Sequence, residues 1–306
     1  MGSLLVGLSA GELGAPIAAL CVAGAAVAWA MRDPRRSLGV RTMLITAGWS
    51  MAALLLLAVP DVRLMRAFGY LAAGGVGLVS TADWPLANQL ACVGGGVLWA
   101  GTTLAFQRRS RGLCVRCGLG EAGAGADAGT WLRRGRRWVV AAVVLPVPYE
   151  LTRWAWALGW PIGVTTGAET IARWSLGERA GMFAIGALPL VGGLLTHGLV
   201  RPWGEVAPRW MPRLGGRPVP LGPVVGVATT ATLLIVTGAL SLHRITLNVA
   251  LERVPAPQPD VEGWGAWAPG LLWLPWGLAL GAATYCYWRR RRGGCATCTR
   301  TATTGR

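Results

Sequence analysis

Two cysteine pairs stand at matching places in the chain and are its strongest candidates for chemistry. The stretch RRSRGLCVRCG covers 108–118, and RRRRGGCATC covers 289–298. Each is an arginine-rich run followed by two cysteines with two residues between them, and each follows a long apolar segment. A CxxC pair places two thiolates on one tight turn, which Gly118 would ease, and two pairs can surround a tetrahedral zinc. The predicted zinc ligands are Cys114, Cys117, Cys295 and Cys298.

The same cysteines allow two other interpretations. Neighbouring arginines stabilise the thiolate form of cysteine, so the pairs could cycle between dithiol and disulfide with a thioredoxin-like partner. Redox CxxC motifs usually lie in a βαβ context, however, which neither pair has. The third interpretation gives the cysteines no role. We take one structural zinc shared by both pairs as the leading hypothesis, and a membrane thiol-disulfide oxidoreductase as the alternative.

The composition excludes an ordinary soluble protein. Hydrophobic residues make up 53% of the 306 residues and charged residues only 14%, whereas about 25% charged residues are typical of a soluble chain. Mean hydropathy is +0.48, and several apolar runs approach or exceed the ~18 residues that cross the hydrocarbon of a bilayer. We therefore predict a multi-pass membrane protein that is surrounded by the lipid bilayer.

The positive charge follows the same pattern. All 29 basic residues are arginine and the formal net charge is +16, which by itself could indicate nucleic-acid binding. The arginines cluster between the apolar runs, however, as cytoplasmic residues of membrane proteins do, so we predict no nucleic-acid partner. The absence of lysine and the richness in Ala and Gly indicate a high-GC coding bias rather than selection for the chemistry of arginine.

Seven apolar runs are predicted to cross the membrane, which gives an all-α integral membrane fold. Their ranges are 13–31, 42–59, 86–107, 138–157, 181–200, 219–242 and 267–288. With the amino terminus outside and the carboxyl terminus inside, the inner segments hold 22 of the 29 arginines, as the positive-inside rule requires. If the apolar segment 68–80 also crossed the membrane, arginine-rich loops would lie on both sides and the excess of inner arginines would be lost. We therefore place 60–85 in an outer loop.

The two cysteine stretches also align over a longer distance. A shift of 181 residues superimposes their arginines, glycine and cysteines, and places Thr103 on Thr284 and Phe106 on Tyr287. This predicts two parallel repeats of three spans joined by one linking span. The alternative is that the two stretches are alike only because chain segments that leave the membrane on the inner side favour Arg and Gly. The predicted parts are a first unit 1–107, a cytoplasmic loop 108–137, a linking helix and outer loop 138–180, a second unit 181–288 and a cytoplasmic tail 289–306.

This layout resembles that of the SWEET sugar transporters, which also have two three-helix repeats, a linking helix and an outer amino terminus. The likeness is one of topology, and none of that family's residue motifs occurs here, so it implies no sugar site. The runs LTRWAWALGWPIG (151–163) and RPWGEVAPRWMPRLGGRPVP (201–220), with the two CxxC pairs, resemble a group of uncharacterised multi-pass membrane proteins of high-GC bacteria. That resemblance implies a similar topology and no known activity.

A second candidate site consists of polar side chains inside the predicted spans, which are functional candidates by default. Glu150 lies about 20 Å into the fourth span at 1.5 Å per residue, and Arg153 follows three residues later, where the two can pair. Asn88 and Gln89 lie at a similar depth near the start of the third span. Together the four could line an outward-facing cavity. The alternative is an interfacial Glu–Arg pair at a fraying helix end.

The sequence carries no motif of an enzyme beyond the CxxC pairs. There is no Ser/His/Asp cluster, no HExxH motif and no phosphate-binding glycine loop. The predicted function is therefore that of a non-enzymatic membrane protein, either a small-solute transporter or an interaction protein. Neither the solute nor a protein partner is identified by any residue pattern.

Overall fold

The computed structural model describes residues 10–61, 63–64, 67–68, 83–115, 118, 128–212, 215–253 and 262–292. Within these ranges the regular structure is helical, and the only β-type pairings are two isolated bridges. The helices are α1 (Ala10–Ala30), α2 (Leu38–Ala53), α3 (Trp84–Arg109), α4 (Ala128–Val144), α5 (Val147–Ala157), α6 (Ala168–Arg173), α7 (Leu176–His197), α8 (Leu221–Ala250), α9 (Trp264–Trp267) and α10 (Trp273–Arg291). The predicted all-α fold is confirmed for the described part of the chain.

Four helical segments of the described residues are long and apolar enough to cross a bilayer. They are Leu38–Ala58, in which a π-helical turn continues α2, and Trp84–Arg109, Leu176–Val200 and Leu221–Ala250. These segments coincide with the second, third, fifth and sixth predicted spans. A shorter apolar helix, Ala15–Ala30, coincides with the first. The chain therefore fits a membrane protein, while the count of seven spans and their orientation stay predictions. The predicted outer loop at 60–85 lies largely outside the described residues.

The fourth and seventh predicted spans are helical but less uniform. The fourth is divided at Pro146 into α4 and α5, because a proline has no N–H to donate and its ring clashes with the preceding turn. Helix α4 begins at Ala128, well before the predicted span, and its first turns are rich in arginine. Helix α10 starts at Trp273 and carries three arginines in its last turn. Helices α4 and α10 therefore each include both apolar and arginine-rich sequence, and neither helix is interrupted at the predicted membrane boundary.

The first compact unit takes in the described residues of 1–125 and 292–306. Helices α2 and α3 pack against each other there, and Met31, Leu44 and Phe106 form its buried core. Helix α3 starts after Asp83, whose carboxylate accepts the N–H of Leu86 at 2.9 Å. This cap satisfies a donor that the first turn of a helix leaves unpaired, and it fixes where the third predicted span begins.

The second compact unit takes in the described residues of 126–291. Helix α10 packs against α4 and α8, and α5 packs against α7. The buried core around α10 includes Val139 from α4, Ile235 from α8, and Leu280 and Tyr287 from α10 itself. Helix α10 is therefore the central helix of this unit, because apolar side chains of two neighbours close over it.

The last turn of α10 is tied to the loop that precedes α8. The Tyr287 hydroxyl donates to the Gly204 carbonyl at 2.6 Å, and Arg291 donates to the same carbonyl at 3.1 Å. Arg290 forms an ion pair with Glu205 in that loop. Hydrogen bonds with a charged partner are the stronger ones, so the loop is held firmly against the end of the helix.

Close glycine contacts occur in both helix pairs, between α3 and the π-helical turn that continues α2, and between α8 and α10. A Cβ added to Gly96 in α3 would lie 2.6 Å from Leu56, and one added to Gly277 in α10 would lie 2.6 Å from Val236. Gly96 and Gly277 are separated by the same 181 residues as the two cysteine pairs. Small residues at such places let two membrane helices approach closely.

The threonine and aromatic positions of the same alignment are buried as well. Thr103 and Phe106 in α3 are both 0% exposed, while Thr284 and Tyr287 in α10 are 4% and 1% exposed. Aligned positions therefore lie on the packed side of α3 and of α10 alike, although the aromatic side chains differ.

Candidate functional site

Prolines shape the start of α5, the helix that carries both ionisable residues of the polar site. Pro148 occupies the first turn of α5, where a missing N–H costs no hydrogen bond. The N–H groups of Tyr149 and Glu150 donate to the Pro146 carbonyl at 2.9 and 3.2 Å. The chain therefore turns at once from α4 into a new helix, whose first turns carry Tyr149, Glu150 and Arg153.

Glu150 is buried in the second unit, with an exposed fraction of 4%. Among the described residues its carboxylate makes no ion pair within 4.0 Å and no hydrogen bond. The pairing expected with Arg153 is therefore not found in this part of the chain. The carboxylate oxygens are not among the fully buried atoms that lack a partner, so the carboxylate keeps a small accessible edge that a ligand could reach.

Arg153 has other partners. The carbon at the centre of its guanidinium lies 4.6 Å from the ring centre of Tyr149 and 4.4 Å from that of Trp156, within the range of cation–π contacts. Its Nη2 donates to the Ala266 carbonyl at 2.9 Å. Two aromatic rings and a carbonyl oxygen therefore stabilise this buried charge, which explains why it does not turn towards Glu150.

A buried donor lies beside the same tyrosine. The ring of Trp273, at the start of α10, stands edge-on to Tyr149 with 5.1 Å between the ring centres. Its indole N–H is buried and has no acceptor in the described part of the chain. Trp273 therefore contributes an unsatisfied donor beside Tyr149, the residue that precedes Glu150 in α5.

The segment that supplies the Ala266 carbonyl is fixed by backbone contacts. The Glu262 N–H donates to the Thr166 carbonyl at 2.9 Å, and the Gly265 N–H donates to the Gly163 carbonyl at 3.0 Å. Gly163 has a φ of +71°, a conformation that side chains other than glycine rarely adopt. The carbonyl that binds the guanidinium is therefore positioned by backbone contacts of the residues just before it.

The two amides of the predicted polar site lie in the first unit and differ from each other. Gln89 is 6% exposed, and its Oε1 accepts the N–H of Asp61 at 3.3 Å. Asn88 is exposed, because consecutive residues of a helix point in different directions. Glu150 and Arg153 belong to the second unit, and the cavity predicted to be shared by all four residues stays a prediction.

Of the predicted zinc ligands, Cys114 is described, while Cys117, Cys295 and Cys298 lie outside the described residues. The turn after Cys114 closes through the Gly118 N–H, which donates to the Cys114 carbonyl at 2.7 Å. Gly118 has a φ of +68°, a conformation that favours glycine, as expected for the residue that eases the turn of the CxxC pair. Within the described ranges, no three His, Cys, Asp or Glu side chains are grouped as metal ligands.

Sequence reasoning missed the partners of Arg153. Tyr149 and Trp156 stand four residues before it and three residues after it, and such positions share one face of a helix, so their spacing was a usable signal. The Ala266 carbonyl is 113 residues away along the chain. No signal marks it, because every residue offers a backbone carbonyl.

Comparison of the chain with protein-family models, with curated proteins and with solved structures found no match. The resemblance to multi-pass membrane proteins of high-GC bacteria therefore stays a prediction.

Proposed function

We propose that the chain is a seven-span protein of a bacterial cell membrane that carries a small solute with a positively charged nitrogen. Its amino terminus would lie outside and its carboxyl terminus inside. The observation that carries the proposal is Glu150, a residue only 4% exposed whose carboxylate has no side-chain partner among the described residues. Ionisable groups in membrane segments are expensive and are kept mainly for ligands, ions or protons.

The groups around Glu150 complement an amine-bearing solute. The carboxylate would accept an ammonium group, and the indole N–H of Trp273 would donate to an oxygen of the same solute. Arg153 holds Tyr149 and Trp156 in place through its guanidinium and leaves the charge of Glu150 unpaired. The site would therefore favour a small cation or zwitterion over a neutral sugar.

A duplicated plan of three-plus-one-plus-three spans would suit such a carrier, since transporters built from repeats move one repeat against the other around the site. Support for the duplication comes from Gly96 and Gly277, which close equivalent helix pairs at the same separation as the cysteine pairs. Burial of the aligned Thr103 and Thr284 supports it further.

Electrometry on reconstituted protein tests the transport proposal. Proteoliposomes adsorbed on a solid-supported membrane receive concentration jumps of amino acids, small amines or sugars, one class at a time. We expect charge displacement with an amine-bearing class and none with sugars. Glu150→Gln should abolish the current, whereas Glu169→Gln, which changes an exposed acid in α6, should keep it. A current that persists unchanged in Glu150→Gln would overturn the site.

A structural zinc shared by the two CxxC pairs is the second part of the proposal, and the turn at Gly118 is the observation that favours it. On the cytoplasmic side thiols stay reduced, the state in which they can bind metal. Metal analysis of the purified chain should find about one zinc per chain, lost when Cys114 and Cys295 become serine and kept in Cys21→Ser. Metal-free protein with an easily titrated dithiol–disulfide couple would instead favour the thiol-disulfide oxidoreductase.

A further inference from the structure

A groove opens at the carboxyl end of α7, and none of its residues belongs to the Glu150 site. It measures about 650 Å³ and is open on one side. The residues that line it are Leu194, Leu195, His197, Arg201, Pro202 and Trp203. Neither the proposed transport nor the proposed zinc uses any of these side chains.

The chain forms this groove by folding back sharply after α7. The helix ends at His197, and two short 3₁₀ turns follow. The ring of Trp203 packs over Gly198, where an added Cβ would lie 2.5 Å from the ring. The Leu199 carbonyl between them accepts a hydrogen bond from Arg290 at 2.9 Å. Trp203 therefore forms a wall of the groove, and its position is fixed by the contact with Gly198 and by the hydrogen bond from α10.

The groove has an apolar wall and a cationic rim. Leu194 and Leu195 are 63% and 62% exposed, and they lie on a helix that is long and apolar enough to cross a bilayer. Arg201 is exposed, and neither its guanidinium nor the imidazole of His197 has a partner among the described residues. Trp203 is 40% exposed and adds an amphipathic ring at the same level.

The nearest carboxylate in the loop does not neutralise this rim. Glu205, four residues after Arg201, already forms an ion pair with Arg290. The guanidinium of Arg201 is therefore left to an external anion, and guanidinium groups bind phosphate through paired hydrogen bonds. A soluble anion would leave Leu194 and Leu195 uncovered, whereas an amphiphile would cover them.

We propose that this groove binds an anionic phospholipid, with its phosphate at Arg201 and His197 and one acyl chain along Leu194 and Leu195. Tryptophan favours the headgroup level of a bilayer, where Trp203 would lie. The inference rests on the proposed topology, in which the end of α7 faces the cytoplasm, because anionic lipids of that leaflet attract basic segments. The bound lipid would fix the loop after α7 to the membrane surface.

Native mass spectrometry of the full chain in detergent, with phosphatidylglycerol or phosphatidylcholine added, tests the inference. We expect roughly tenfold tighter binding of phosphatidylglycerol, because both lipids carry the phosphate but only phosphatidylcholine also carries a cation that Arg201 repels. Arg201→Gln should lose this preference, whereas Arg217→Gln, an exposed arginine of the same loop outside the groove, should keep it. Leu195→Gln should weaken the binding of both lipids.

If Arg201→Gln and Arg217→Gln lost the preference for phosphatidylglycerol equally, the lipid would be attracted by the basic surface in general. That result would overturn the proposal of a lipid site in the groove. Displacement of phosphatidylglycerol by inorganic phosphate would identify a soluble-anion site and would overturn it as well. Thermal unfolding of each variant separates loss of binding from loss of fold, and His197→Gln repeats the test if Arg201→Gln unfolds. Glu150→Gln should bind the lipid like the unchanged protein, so a failure of the transport proposal leaves this result intact.

Discussion

At the scale of single residues, Arg153 illustrates how a buried positive charge can be stabilised without an ion pair to a carboxylate. Its guanidinium lies between the rings of Tyr149 and Trp156 and donates to the Ala266 carbonyl. Removing the guanidinium would leave a carbonyl without its donor and a gap between two rings, and both losses destabilise a packed interior. The same arrangement keeps Glu150 unpaired, so one residue has both a structural and an electrostatic effect.

Arg153→Met should lower the free energy of unfolding by about 2–3 kcal/mol, because one charge-assisted hydrogen bond and two cation–π contacts are lost. Unfolding by SDS titration in mixed micelles, followed by circular dichroism, measures the change. Arg173→Met is the matched control, since Arg173 is exposed and should change stability by no more than about 0.5 kcal/mol. Equal effects of the two substitutions would contradict the assigned role of Arg153.

The site was partly predictable at this scale. Residue type and depth in an apolar run were enough to select Glu150 and Arg153, because charged residues inside such a run are energetically costly and usually have a function. Their predicted pairing was not found, since aromatic rings on the same helix face compete for the guanidinium. The unsatisfied indole of Trp273 could not be predicted, because it depends on what lies opposite the ring in the folded chain.

At the scale of helices, the contact between α8 and α10 depends on the absence of a side chain at Gly277. An added Cβ would lie 2.6 Å from a methyl group of Val236 and 3.2 Å from its backbone nitrogen. Valine is stiff about its first side-chain torsion, so the methyl group cannot easily turn away. The two helices would have to separate, and the core around Leu280 would open.

Gly277→Ala should therefore destabilise the protein by about 1–3 kcal/mol, the range for an overpacked contact. Gly226→Ala in α8 is the control, because an added Cβ there meets nothing within 4 Å and alanine favours a helix by up to about 1 kcal/mol. Thermal unfolding in detergent should show a lower Tm for the first variant and an equal or higher one for the second. A lower Tm for both would mean that the glycine contact is not specific.

Helix positions were predicted better than helix ends. The run 219–242 was predicted as a span, but α8 continues to Ala250 through HRITLNVA, and α4 begins at Ala128 instead of near 138. Hydropathy detects the part of a helix that suits hydrocarbon, whereas a helix itself ends at a cap or a breaker. Asp83 is such a cap, and the predicted start of the third span is accordingly close to the observed one.

At the scale of the whole molecule, the arginines are the main argument for orientation. The inner segments of the proposed topology hold 22 of the 29 arginines, and the bias of arginine towards the cytoplasm sets the direction of membrane proteins. Helix packing within each unit carries no information on direction, because a helix bundle packs equally well in either orientation. An experiment on intact cells is therefore the appropriate measurement.

Single cysteines introduced at Gly125 and Pro257 should react differently with a membrane-impermeant maleimide. We expect Pro257→Cys to be labelled on intact cells and Gly125→Cys to be labelled only after lysis, because the two positions lie on opposite sides in the proposed topology. The comparison is made in a background without other cysteines. Labelling of Gly125→Cys on intact cells would reverse the orientation, and with it the argument that the CxxC thiols stay reduced.

The bonds that fix the last turn of α10 also determine where the chain after it can go. Tyr287, Arg290 and Arg291 hold that turn against the preceding loop, so the tail leaves from an anchored point. Cys298 is the sixth residue after Arg292, and six residues of extended chain span at most about 20 Å. A tether this short keeps the tail thiols at an effective concentration on the order of millimolar near the end of α10. Their reactions with groups of the same chain should therefore be first-order and insensitive to dilution of the protein.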